Sequence, residues 1–279
     1  LALLYGLITA AAFGVGDFLA GQATKKVSTF VVVLYAQAVG AVLMLPVALF
    51  SAHTFSWEAA VWGSLGGAAL GLGFLLYFHA LSIGKMGVVS AVTGVSSALV
   101  PIIAGLGLGE QPGSGALIGI LMVVAAIGLI SKKEEGAALP STSSKVLLEA
   151  LGAGLLLGLF FVFLHVPAAE EGMWAVSAAM TASFAAVAVT LLIRRENLRL
   201  TRSSLSYTTF NGILQAFGAV TYVAGVNIGL MSIVAVAGAL SPIFTVLCAR
   251  TLIQERLSKI QWSGFTLALA GVAVLVFTS

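Results

Sequence analysis

One aspartate occurs in the chain, Asp17, and it stands in "FGVGDFLAG", residues 13–21, among Leu, Ala, Gly and Phe. A carboxylate in such surroundings can hold a cation, exchange a proton or lock two helices together through a buried hydrogen bond. The remaining acids are glutamates in blander settings. Glu58, Glu134, Glu135, Glu170, Glu171 and Glu196 fall in polar connections or at their edges. Glu110 and Glu255 just precede apolar runs, where a carboxylate suits the exposed N–H groups of a helix start. Glu149 follows Lys145 by one turn, the spacing of an i,i+4 ion pair. Asp17 lies eight residues before Lys25, about 12 Å along a helix at 1.5 Å per residue.

Other polar side chains also sit in apolar runs. Tyr77, His79 and Ser82 occur in "LLYFHALSIG", and His is a type that titrates near neutral pH. Asn211, Gln215 and Tyr222 follow steps of four and seven, which puts them on one helical face. Ser96 and Ser97 in "TGVSSALVP", and Ser241 and Thr245 in "ALSPIFTVLC", are small polar residues of the kind that lets helices approach closely or lines a cavity. Pro101 and Pro242 each free a carbonyl one turn earlier and permit a kink or hinge. Phe161, with Phe160 and Phe163, offers an aromatic face for packing, gating or stacking on a solute.

The elements that must hold these groups follow from composition. Apolar residues make up 60% of the chain and charged residues 8%, and mean hydropathy is +1.12. A soluble domain needs about 25% charged residues to face water. This surface faces lipid instead. Apolar runs recur from end to end, unlike a single secretory leader. The chain opens without Met or a charged leader, so trimmed termini are expected. The single cysteine, Cys248, rules out an intrachain disulfide and a cysteine metal site.

A membrane-crossing helix needs roughly 20 apolar residues. Segments 1–22, 28–50, 58–82, 86–108, 114–131, 146–166, 173–193, 205–228, 231–252 and 260–278 meet that need, which predicts an all-α integral membrane protein with ten transmembrane helices. The longest polar connection, "SKKEEGAALPSTSSK", lies at mid-chain. It separates a first five-helix repeat, residues 1–131, from a second, 145–279, with 132–144 as a cytoplasmic linker. A gapless shift of 145 residues superposes Tyr77 on Tyr222, Met86 on Met231, Ser96 on Ser241, Glu110 on Glu255 and Gly119 on Gly264. Five helices per half is odd, so the second half must run inverted through the membrane, as in many secondary transporters. All 13 basic residues fall on one side of this arrangement, from Lys25 and Lys26 to Lys259. By the positive-inside rule that side is cytoplasmic, and both termini face outward.

The chain resembles the EamA family of the drug/metabolite transporter superfamily over essentially its whole length. The resemblance rests on "GVGDF" (14–18), "YFHALSIGKMGVVSAV" (77–92) and "LGEQPGSGALIGI" (108–120), with second-half counterparts "YVAGVNIGLMSIVAV" (222–236) and "IQERLSKIQWSG" (253–264). It implies a 5+5 pseudosymmetric carrier working by alternating access, with helices 1, 3, 4, 6, 8 and 9 around a central cavity and helices 5 and 10 outside. Relatives export amino acids and other small metabolites, and some import them.

The combined expectation is a bacterial-type inner-membrane carrier, monomeric or homodimeric, that exports a small polar or amphipathic metabolite. Asp17 would be the cation or proton site, and Tyr77, His79, Asn211, Gln215 and Tyr222 would bond the solute. Secondary cavity candidates are Ser96, Ser97, Ser241, Thr245 and Phe161, with Pro101 and Pro242 as hinges. No cofactor, metal or nucleic acid is expected. Uncoupled facilitation or import of an amine- or nucleoside-like solute fits the same residues. An intramembrane enzyme would need clustered acids, His pairs or a Ser/His/Asp set, and the sequence contains none.

Overall fold

A computed structural model describes residues 1–51, 55–107, 114–131, 143–167, 171–195, 198–228, 234, 237, 238, 240–254 and 258–278. Most of the linker expected over 132–144, together with Glu110 and Glu255, lies outside them.

The described residues form helices throughout: α1 (Ala2–Thr24), α2 (Thr29–Ser51), α3 (Trp57–Ile83), α4 (Met86–Gly107), α5 (Ser114–Ser131), α6 (Ser144–His165), α7 (Gly172–Arg194), α8 (Arg202–Val226), α9 (Ser241–Leu252) and α10 (Lys259–Thr278). Polar residues in the short connections fix the starts of α3, α6 and α8. Ser56, Ser143 and Thr201 accept hydrogen bonds from the backbone N–H groups of Ala59, Val146 and Ser204, at 3.1, 3.4 and 3.2 Å. Each satisfies a donor that a helix start leaves bare. The Ser56 hydroxyl also donates to Glu171 Oε2 at 2.8 Å, tying the start of α3 to that of α7.

The segments Leu4–Thr24, Thr29–Ser51, Trp57–Ile83, Ser144–Leu164 and Gly172–Ile193 are long and apolar enough to cross a membrane. Met86–Pro101, Ser241–Leu252 and Trp262–Val274 are shorter apolar helices. Large side chains such as Val42, Phe50, Leu121, Leu192 and Ile193 point away from the protein with more than half their surface exposed. An outward apolar coat of this extent is stable against hydrocarbon and costly against water.

Packing follows a two-fold pattern. α1 packs on α8 and α9, and α6 packs on α3 and α4; α2 packs on α8, and α7 on α3. Adding five to each label turns the first of each pair into the second. The pairs α2–α7, α4–α9 and α5–α10 map onto themselves. Glycines permit the closest crossings. Gly63, Gly67 and Gly71 of α3 lie against the backbone of Ala175, Ala179 and Ser183 of α7, two matching i, i+4, i+8 rows. Gly154 and Gly158 of α6 meet α4 at Ser96, Ser97 and Val100. Without a side chain at these points the backbones approach to contact, which is how membrane helices gain packing energy when lipid supplies no hydrophobic drive.

One expected element differs. The sequence predicts a ninth helix over 231–252, with Pro242 as a hinge that permits a kink. Val234, Ala237 and Gly238 are helical, a turn follows at Leu240 and α9 begins at Ser241, so Pro242 stands in the first turn after a break in the expected helix. There its missing N–H leaves no broken bond, and its fixed φ favours starting a helix. Pro101, by contrast, is inside α4, which continues to Gly107.

Candidate functional site

The central cavity lies between the halves and has about 550 Å³ of space free of protein atoms, the solvent at its mouth included. Its walls come from α1, α3, α4, α6, α8 and the start of α9. α5 and α10 pack chiefly on each other, away from it.

Asp17 reaches the cavity because of the glycines before it. A Cβ on Gly14 would fall on the Ser241 carbonyl oxygen, so only glycine lets α1 lie this close to α9. On the next face, Gly16 leaves room for α8, where a Cβ would stand 3.2 Å from Asn211 Nδ2. "GVGDF" is thus a wedge-free corner pressed between two helices, and Asp17 follows it into the interior with 7% of its surface exposed. Gln215 of α8 donates from Nε2 to Asp17 Oδ1 at 2.9 Å. The Tyr77 hydroxyl faces both the Asp17 carboxylate and Thr245, and donates to Ser90 Oγ at 3.1 Å. Thr245, fully buried, donates to the Gly14 carbonyl at 2.9 Å and so fixes the corner from the α9 side.

The cavity is polar at one end and aromatic at the other. Asp17, Tyr77, Ser90 and Thr93 stand seven, six, four and seven residues from Thr24, Ile83, Met86 and Met86 respectively. At 1.5 Å per residue that is about 6–11 Å from the helix ends joined by the Lys25/Lys26 and Lys85 connections. Phe160 and Phe161 lie five and four residues from the opposite end of α6. Phe13 and Phe74 complete the apolar wall.

The pseudosymmetry gives this asymmetry a source. Tyr77 of α3 faces Asp17 of α1. Its repeat counterpart Tyr222 of α8 packs on Phe161 of α6, ring centroids 5.4 Å apart. The 145-residue shift that relates the two tyrosines brings Asp17 of α1 next to Phe161 of α6. One half therefore presents a carboxylate where the other presents a phenyl ring.

Of the residues picked out in the sequence, Asp17, Tyr77, Gln215, Ser97, Ser241 and Phe161 line this cavity. Asn211 is buried where α8 meets α1, and its side-chain amide makes no hydrogen bond among the described residues. The Tyr222 hydroxyl is buried with none either. Ser96 bonds back to the Val92 carbonyl at 2.7 Å and packs on Gly154, the close-packing role small residues serve. His79 does not join the site. It lies on the outer side of α3, its side chain 48% exposed, and its Nδ1 is 2.8 Å from Glu149 Oε2. This also corrects the expectation for Glu149, which meets His79 rather than Lys145. His79→Ala is accordingly expected to change solute exchange by less than about twofold, as measured by initial rates in reconstituted vesicles.

Sequence reasoning passed over Ser90, Thr93 and Gly94. With Ser97 they form a stripe at steps of three, one and three along α4, a legible signal of one small polar face.

Comparison with known proteins bears on this geometry. A protein known from a crystal structure is similar over 100% of this chain and 99% of its own, with a TM-score of 0.72 at 18% identity, a likeness of fold. Curated proteins give no match. The model of the EamA-like transporter family matches residues 1–132 and again 144–277, once in each half. The chain is a multi-pass membrane protein and belongs to the EamA-like transporter family.

Proposed function

We propose that this protein is a secondary carrier of ten transmembrane helices in two inverted five-helix repeats, exporting a small amphipathic solute by alternating access. One observation carries the reading: the single intrahelical aspartate opens on a cavity to which both halves contribute walls. A buried ionisable group in a membrane helix is costly, and such groups mark solute and ion pathways far more often than inert packing. The two-fold packing pattern supports the mechanism, since rocking one half against the other exposes a fixed central site first to one side and then to the other. In this reading Asp17 holds either the solute or a proton, and export runs as their exchange.

Counterflow tests the reading. Vesicles reconstituted with the protein and preloaded with solute take up labelled solute from a dilute external pool by exchange. A scaffold or an enzyme shows no such preloading-dependent uptake. The basic connections put the linker inside the cell and both termini outside. A reporter that fluoresces only in the cytoplasm, fused to the C-terminus, is then expected to stay dark. A bright fusion overturns the orientation.

A further inference from the structure

The side chains around the cavity also bear on the class of solute it takes, an inference that rests on the carrier reading. Asp17 is the only charged residue among the described residues that line it. No lysine, arginine or histidine of that lining offsets the carboxylate. The stretch 229–240, which leads into the α9 wall and is mostly outside the described residues, contains no ionisable side chain in its sequence. A zwitterion would bring a carboxylate of its own and need a cation or several free N–H donors to receive it.

The donors that are present are uncharged, and part of them is already in use. Gln215 Nε2 serves Asp17, and the Tyr77 hydroxyl serves Ser90. The first turn of α9 also faces the cavity at Ser241, but Pro242 has no N–H, and the Ile243 N–H is bonded to the Leu240 carbonyl at 2.9 Å. What remains, the second Gln215 N–H and the Ser90 and Ser241 hydroxyls, is neutral and offsets no second carboxylate beside Asp17. At the far end, Phe160 and Phe161 offer ring faces, and the Tyr222 ring backs Phe161. Aromatic faces attract cations and accept flat apolar bodies.

We propose that the cavity binds an amphipathic organic monocation, a protonated amine whose ammonium sits at Asp17 and whose apolar body rests on Phe160, Phe161 and Phe74. The layering sets its direction: ammonium toward the helix ends joined by the lysine-bearing connections, body toward the opposite ends.

Four compounds with one aromatic body separate the possibilities: 2-phenylethylamine, phenylalanine, 3-phenylpropionate and 2-phenylethanol. Binding is followed calorimetrically on the detergent-solubilised protein, and exchange by counterflow. A charge-assisted hydrogen bond separates the amine from the others, so it is expected to bind about tenfold or more tightly than each. Asp17→Asn is expected to remove that preference. Phe161→Leu, which leaves the polar end intact, is expected to weaken 2-phenylethylamine at least about threefold while leaving butylamine unchanged. Phenylalanine binding as tightly as the amine, or an amine preference that survives Asp17→Asn, overturns the inference. Counterflow of phenylalanine or 2-phenylethanol without the amine ends the monocation proposal and keeps the carrier. Absence of exchange for every solute in the set, butylamine included, contradicts the monocation proposal.

Discussion

Asp17→Asn is expected to reduce solute exchange by about a hundredfold or more while leaving the protein at least as stable as its parent. The two halves of that result come from different physics. Asparagine keeps an Oδ1 that accepts from Gln215 Nε2, so the contact between α1 and α8 survives. The substitution also removes a buried carboxylate, an ionised group that is costly to hold inside a membrane helix. What is lost is the charge. A hydrogen bond to a charged group contributes about 1.5–3 kcal/mol, and the upper end of that range is roughly a hundredfold in binding. Thermal unfolding in detergent and initial exchange rates, measured on the same preparations, check both halves. If Asp17 only locked helix packing, the pattern would reverse: a lower unfolding temperature and unchanged exchange in the surviving protein.

Gly67→Leu is expected to prevent accumulation of folded protein, or to lower its stability by at least about 3 kcal/mol. Gly67 is the middle member of the α3 row that lies on α7, and even a Cβ there would overlap the Ala179 carbonyl and its flanking backbone. Overpacking against side chains costs about 1–3 kcal/mol, because side chains can rotate away. Here the obstacle is backbone, so the two helices must separate. Tyr77 and Phe74 ride on α3, and their places in the cavity wall would move with it. Gly152→Ala is the matched control, since its Cβ would meet only Leu76 at 3.5 Å. Alanine is also the better helix former by about 1 kcal/mol. Size-exclusion profiles and unfolding temperatures of the two variants should differ sharply; similar losses in both would refute the close-packed seam.

How far the sequence reveals this site depends on the kind of information each residue carries. Asp17 is conspicuous because its type contradicts its surroundings, and that needs no partner to be seen. Gln215, 198 residues away, can be placed on a polar face of α8 but not aimed at Asp17, because nothing in a linear pattern says which helix a face meets. The same face serves three surroundings. Gln215 meets the cavity, Asn211 the seam with α1, and Tyr222 the Phe161 ring.

His79 misleads when judged on type alone. It follows Tyr77 by two residues, about 200° around a helix, so the two side chains have to point apart. Pro242 is ambiguous for a different reason. Proline fits both the first turn of a helix and a kink within one, and here it follows a turn at Leu240 that has helical residues on either side. The repeat, weak as a set of identities, becomes explicit when Tyr77 faces Asp17 in one half and Tyr222 faces Phe161 in the other.

If solute passes through this cavity by alternating exposure, the cavity opens in turn to each side of the membrane, and a single engineered thiol reports both openings. Ser97 lines the cavity and is nearly isosteric with cysteine, and Cys248 is the only native thiol. In a Cys248→Ser background, Ser97→Cys is exposed to a membrane-impermeant maleimide from either side of oriented vesicles. Labelling from both sides, slowed by transported solute, is the predicted result. Labelling from one side only, or labelling from both sides at rates indifferent to solute, would contradict alternating exposure.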